Sequence, residues 1–132
     1  MIFKNDAHRA FYNHYTEILR DDCYTKALIY TLGMCDDTRR NFETIYDIKD
    51  KSVCPEVITA AWQTGGSLRV TRLAFQLFTD CTPSVDPDKP DICECQKYSV
   101  SDIFCCEFAP YFFEAIKIRY PEYTKEIKCE HD

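Results

Sequence analysis

The apolar positions are densest between Ser99 and Pro121, where they cover more than one face of a helix. The apolar side chains of this stretch are those of Phe104, Phe108, Tyr111, Phe112, Phe113, Ile116 and Ile118. A helix that is apolar nearly all round is usually buried on several sides. The pattern therefore predicts a central aromatic helix over about 101–119, kinked at Pro110 because proline has no N–H to donate.

Shorter amphipathic helices are predicted before it from apolar residues at helical spacing. Asn5 or Asp6 can cap the first of them and the pair Asp21–Asp22 the second, which we expect to end at Gly33. Three more are predicted: one capped by Asp36, Asp37 or Thr38, one from Pro55 to Trp62, and one capped by Ser67. The interpretation is an all-α, irregular bundle of five to seven short helices.

The segment 80–98 interrupts this pattern with three prolines and four aspartates, which predicts a long acidic loop. A brief strand at Ile92–Cys95 is the one extended element that we expect within it. Residues 121–132 are predicted to be a partly ordered tail, and residues 1–132 a single domain. Long loops in compact domains are frequently functional.

Charge is unevenly distributed along the chain, whose net charge is −6. Residues 80–94 carry five acids and one base and residues 122–132 carry four acids and two bases, whereas the remainder is balanced. The balanced body argues against direct binding of nucleic acid, which takes a basic surface, and against imitation of DNA. An acidic loop flanked by tyrosines suits a basic protein partner. The predicted contact residues are Asp86, Asp88, Asp91, Glu94 and Tyr98.

Nine cysteines, an odd number at irregular spacing, favour reduced thiols over a disulfide framework. No apolar run approaches the ~20 residues of a membrane span, and charges interrupt any signal-peptide pattern at the N-terminus. We therefore expect a cytoplasmic protein with no membrane association.

A zinc site is the first alternative function, with Cys93, Cys95, Cys105 and Cys106 as ligands. Zinc takes four tetrahedral ligands, usually in pairs with two to four residues between them, whereas these pairs have one and no residue between them. Buried or incidental thiols explain the same residues, so no cofactor is expected.

An anion or nucleotide site, or a small enzyme using it, is the second alternative. The turn Thr64–Ser67 precedes a helix with two arginines, and backbone N–H groups at a helix start can bind phosphate. Its residues would be Gly66, Ser67, Arg69 and Arg72. The turn matches no nucleotide-binding fingerprint, and a helix–helix turn with a solvated arginine stripe explains it equally.

Catalytic chemistry has little support elsewhere. His8 and His14 lie on different faces of the first helix, and His14 is expected at the edge of the core. The pairs Asp21–Asp22 and Asp36–Asp37 stand where helix caps are needed. We therefore predict that the protein is not an enzyme.

Several longer motifs resemble a family of unknown function found in small proteins of phages and mobile elements of Gram-positive bacteria. They are Lys26–Gly33 with Asp37–Arg39, Trp62–Phe75, Tyr98–Phe104 and Tyr120–Tyr123. The resemblance implies a setting in which small proteins often act on host machinery. It leads to the hypothesis of a protein-binding inhibitor of a host defence nuclease complex, of the anti-CRISPR or anti-restriction kind. Its partner would be a basic or nucleic-acid-handling protein of the bacterial host.

Overall fold

The fold is described by a computed structural model over residues 1–81 and 94–125. Seven α-helices make up most of these residues, which confirms the all-α prediction. They are α1 (Asp6–Ile18), α2 (Cys23–Gly33), α3 (Asp36–Arg40), α4 (Phe42–Ile45), α5 (Gly65–Thr79), α6 (Val100–Phe104) and α7 (Ala109–Arg119). Three 3-10 helices accompany them at Pro55–Thr59, Glu94–Tyr98 and Pro121–Tyr123.

Helix α2, and not the aromatic stretch 101–119, occupies the centre of the bundle. Every residue from Ala27 to Gly33 is buried, and α1, α5 and α7 all pack against this helix. The segment Ala27–Leu32 is apolar on all sides except at Thr31, whose hydroxyl donates to the Ala27 carbonyl at 2.7 Å. Because that polar group is satisfied within the helix, the segment from Ala27 to Gly33 can be enclosed completely.

The predicted kinked helix at 101–119 is instead two separate helices, α6 and α7, with residues 105–108 between them. Pro110 is the second residue of α7 and therefore begins a helix instead of bending one. The first helical turn needs no N–H at that position, so proline is accommodated there. Helix α7 buries Phe112 and Ala115 but leaves Phe113 exposed.

The N-cap residues of the first two helices agree with the sequence prediction, whereas the third helix differs from it. The Asn5 side chain accepts from the His8 N–H and that of Asp22 from the Thr25 N–H, which confirms both caps. The predicted third helix is split into α3 and α4. Its start is Cys35, not an acid; Asp36 and Asp37 form ion pairs with arginines three residues later.

Extended structure in the described chain consists of one hairpin with two residues in each strand. Its strand β1 (Tyr46–Asp47) pairs antiparallel with β2 (Ser52–Val53). The strand expected at Ile92–Cys95 is not formed over residues 94–95, which begin a 3-10 helix, and residues 92–93 lie outside the described part. The helix predicted from Pro55 to Trp62 is the shorter 3-10 helix Pro55–Thr59.

Replacing Gly33 with alanine is expected to destabilise the fold. A Cβ atom at Gly33 would lie 2.8 Å from Phe11 Cδ1 and 2.9 Å from His8 Cδ2, both on packed rings. We expect Gly33→Ala to lower the free energy of unfolding by about 1–2 kcal/mol in urea denaturation, as overpacking does. Gly65→Ala is the control, because its Cβ would meet only Arg69 Nη1 at 3.4 Å. Equal stability of both variants would contradict this account.

Candidate functional site

The acidic segment that was predicted to bind a partner is only partly within the described residues. Asp86, Asp88 and Asp91 lie outside them. Glu94 begins the 3-10 helix Glu94–Tyr98, and Tyr98 at its end lines an apolar groove. Asp80 is not part of the loop that was predicted over residues 80–98. It is the C-cap residue of α5, and its backbone is left-handed with φ 60°.

The groove runs between α5, α6 and α7 and encloses about 250 Å³. Its floor is formed by Leu73, Leu77 and Ile103, each no more than 5% exposed. Half-buried apolar side chains form its walls, and Gln76 of α5 is the polar exception. These wall residues are Tyr98, Phe104, Ile116 and Tyr120.

Large apolar side chains also stand exposed around this groove. Val100 lines it and is 75% exposed, and Phe113, at 58%, lies beside Phe104 with ring centroids 5.2 Å apart. Tyr123 is 80% exposed and lies next to the wall residue Tyr120, with ring centroids 6.4 Å apart. Contiguous exposed apolar surface of this kind commonly marks a protein-binding site, whereas single exposed residues do not.

Arg119 holds one end of the groove together. Its Nε donates to the Leu77 carbonyl at 2.8 Å, and its Nη2 contacts both carboxylate oxygens of Asp80 at 2.9 Å. The guanidinium also lies over the rings of Tyr24, at 3.6 Å, and Tyr120, at 4.4 Å. Burial lowers the pKa of Arg119, but Tyr120 and Asp80 outweigh it and keep the pKa above its ordinary value. The charged form thus ties α7 to the ends of α5 and α2.

In the turn proposed to bind an anion, the side chains of Thr64, Ser67 and Arg69 form hydrogen bonds within the protein. Thr64 caps α5 by accepting from the Ser67 N–H at 3.1 Å, and its own N–H donates to Ser67 Oγ at 2.7 Å. Ser67 is buried and donates to Gln63 Oε1. The Arg69 side chain extends to α6, where its Nε donates to the Asp102 carbonyl at 2.8 Å. It is therefore not part of the solvated arginine stripe that the sequence offered as an explanation.

Gly66 and Arg72, the other residues assigned to that anion site, lie on the same helix. A Cβ at Gly66 would approach the Phe108 ring at 3.1 Å, so the glycine allows residues 105–108 to pack closely. Arg72 is half-buried on α5. Thr64, Ser67 and Arg69 thus form internal contacts at the helix start.

Of the four cysteines assigned to a zinc site, the structure describes the side chains of Cys105 and Cys106. Cys105 is exposed, while Cys106 is half-buried and its thiol contacts the Ile103 carbonyl at 3.7 Å. Burial raises the pKa of the Cys106 thiol, which disfavours the thiolate that zinc needs. Cys93 lies outside the described residues, and within those residues no three potential ligands gather in a metal-binding cluster.

His8 is the buried histidine that the sequence interpretation missed. Its Nδ1 accepts from the Lys4 N–H at 3.1 Å, and its Nε2 donates to the Tyr30 carbonyl at 2.7 Å. Burial lowers its pKa from 6.5 to about 4. His14, which was expected at the edge of the core, is exposed. The spacing of His8 from Phe11 and Tyr15, at three and seven residues, was the signal that could have placed it inside.

A model of a family of unknown function (DUF6075) matches residues 1–132. The chain belongs to DUF6075. The match covers the whole sequence, including the tail beyond Tyr123, and it assigns no activity. No curated protein and no solved structure matches the chain. Within the described part of this DUF6075 member, no helix is both long and apolar enough to cross a bilayer.

Proposed function

We propose that this DUF6075 member acts by binding another protein through the groove between α5, α6 and α7. The observation that carries the proposal is that three exposed apolar side chains, those of Val100, Phe113 and Tyr123, line a preformed apolar groove or contact its walls. Tyrosine and phenylalanine supply most of that surface, and aromatic side chains dominate the energetics of protein interfaces.

The occupant that fits best is an apolar segment of a partner with basic residues beside it. The two acidic segments of the sequence adjoin described residues of the groove region: one precedes Tyr98 and the other follows Tyr120. Apolar residues of the partner would enter the groove, while its basic residues would be attracted by the acidic segments. Such charge complementarity accelerates encounter and is weakened by salt.

The test compares four immobilised proteins exposed to the same host lysate, with retained proteins quantified by mass spectrometry. They are the unmodified chain, Val100→Ser, Phe113→Ser and the control Ile2→Ser. Ile2 is 55% exposed, close to the 58% of Phe113. Phe113 lies beside the wall residue Phe104, whereas the Ile2 carbonyl accepts from the Tyr30 hydroxyl. We expect one partner that the unmodified chain and Ile2→Ser retain equally.

Both groove variants should retain that partner at least about tenfold less, because aromatic and apolar anchors at interface centres carry most of the binding energy. Retention should also fall as salt rises from about 0.05 to 0.3 M. Equal retention by all four proteins, or no partner retained from cells that carry defence systems, would contradict the proposed function.

The narrower hypothesis of an inhibitor of a host defence nuclease complex is part of the same proposal. Its support is the phage and mobile-element setting that the family resemblance implies, together with the acidic segments. Identification of the retained partner as a subunit of a nuclease complex, followed by loss of its cleavage activity on addition of this protein, is the expected result. A partner unrelated to nucleic acids would overturn the narrower hypothesis and leave the groove assignment intact.

A further inference from the structure

A second cavity lies away from the groove, between the end of α1 and the β1–β2 hairpin. It encloses about 320 Å³ and shares no lining residue with the groove. Ile18, Leu19 and Ile48 give it an aliphatic lining. Ile18 is 60% exposed, so the lining is open to solvent at one side. The volume falls at the lower end of the range for small-molecule sites.

Tyr46 lines this cavity and contributes a hydroxyl that has no hydrogen-bond partner among the described residues. The residue is only 1% exposed, its ring packing against Phe42 and Phe78, yet it lines the cavity. Its hydroxyl makes no hydrogen bond to any residue that the structure describes. The hydroxyl is not among the fully buried polar atoms that lack a partner, so it reaches the cavity and can bond to a molecule there.

Two cations complete the lining. Lys51 forms no ion pair within residues 1–81 and 94–125, and Arg20 contacts Asp22 through Nε at 3.5 Å. Neither terminal nitrogen of Arg20 makes a hydrogen bond to a described residue. Burial raises the pKa of Tyr46; the positive charge of Arg20 opposes this increase, and the negative charges of Asp22 and Asp47 add to it.

The hairpin holds these groups in place. Lys51 has a left-handed backbone with φ 56°, and its N–H donates to the Asp47 carbonyl at 2.7 Å. This turn brings residues 46–51 against the end of α1, so that Lys51 and Arg20 line the same cavity. Asp22 is the acid paired with Arg20, and Asp47 and Asp50 are used in the turn, where the Asp50 N–H donates to Asp47 Oδ1.

We propose that this cavity binds a small carboxylate with an apolar tail, whose carboxylate contacts Arg20, Lys51 and the Tyr46 hydroxyl while the tail lies on Ile18, Leu19 and Ile48. A carboxylate accepts hydrogen bonds from all three groups, and arginine in particular suits its geometry. A tail of about eight carbons is compatible with the volume. Free fatty acids and the C-terminus of an apolar peptide share this chemistry.

The test is a titration of the ¹⁵N-labelled full chain with sodium octanoate, followed through its amide signals. We expect saturable shifts concentrated at residues 18–20 and 46–51. Butanoate should bind at least about tenfold more weakly because its tail covers less of the lining, and octylamine should not bind because of its positive charge. N-acetyl-leucyl-leucine distinguishes the sources, since tighter binding than octanoate assigns a peptide terminus and weaker binding a fatty acid.

Three variants then test the assigned contacts. Tyr46→Phe should leave thermal stability unchanged, because the hydroxyl has no internal partner, but weaken octanoate binding about three- to tenfold. Arg20→Gln and Lys51→Asn should each weaken it by a similar factor, and asparagine tolerates the left-handed backbone. Lys49→Gln, on the same hairpin, is the matched control. Octanoate binding that survives all three substitutions, or amide shifts confined to other regions, would overturn the proposal.

Discussion

Arg119→Met is expected to lower the free energy of unfolding by about 2–4 kcal/mol, the largest effect that we predict for a single side chain. The guanidinium is 8% exposed and joins the carboxylate of Asp80, the carbonyl at the end of α5 and two tyrosine rings. Methionine fills similar volume but satisfies none of these groups. Because Asp80 is 48% exposed and can be rehydrated, the loss should not reach the upper range for buried pairs.

The measurement is urea denaturation of Arg119→Met, Arg119→Lys and Arg40→Met. Lysine keeps the charge but lacks the planar fork, so Arg119→Lys should recover only part of the loss. Arg40 forms a comparable pair with Asp37 but is 72% exposed, so Arg40→Met should change stability by no more than about 0.5 kcal/mol. A loss for Arg119→Met no larger than for Arg40→Met would show that the contacts at Arg119 do not stabilise the bundle.

Acidification from pH 7 to pH 5 should remove about 2 kcal/mol of stability through His8 alone. In the folded protein its pKa is lowered from 6.5 to about 4, so the unfolded chain binds more protons between these values. The contribution is complete above pH 6.5, decreases as the pH falls and is exhausted near pH 4. Protonation would place a proton on Nδ1, where the imidazole now accepts from the Lys4 N–H.

Stability against pH should therefore be compared for the unmodified chain, His8→Gln and His14→Gln. Glutamine does not titrate in this range, so His8→Gln should be less stable at pH 7 but show a shallower fall toward pH 5. His14 is exposed, and His14→Gln should retain the steeper dependence. The assignment fails if His8→Gln and the unmodified chain lose stability in parallel, because carboxylates would then account for the whole dependence.

The groove illustrates why a candidate site could be predicted only in part. Tyr98 was assigned to an interface from its place beside an acidic segment, and it does line the groove. Val100 and Phe113 went unassigned because their helices were predicted as one, in which Phe113 belonged to a buried face. Whether an apolar residue lies in the core or at the surface depends on which other helices pack over it. A local sequence pattern does not contain that information.

The sequence alone determined the all-α class and placed the first two helix caps within one residue, at Asn5 or Asp6 and at Asp21–Asp22; the structure selects Asn5 and Asp22. Helical periodicity and capping depend on hydrogen bonds between residues three or four apart, so neighbouring residues suffice to predict them. Only the tertiary structure decided that α2 lies at the centre, that His8 reaches the Tyr30 carbonyl, and that Arg119 meets Asp80, 39 residues away. These contacts depend on how the helices pack against one another, which short-range sequence patterns do not encode.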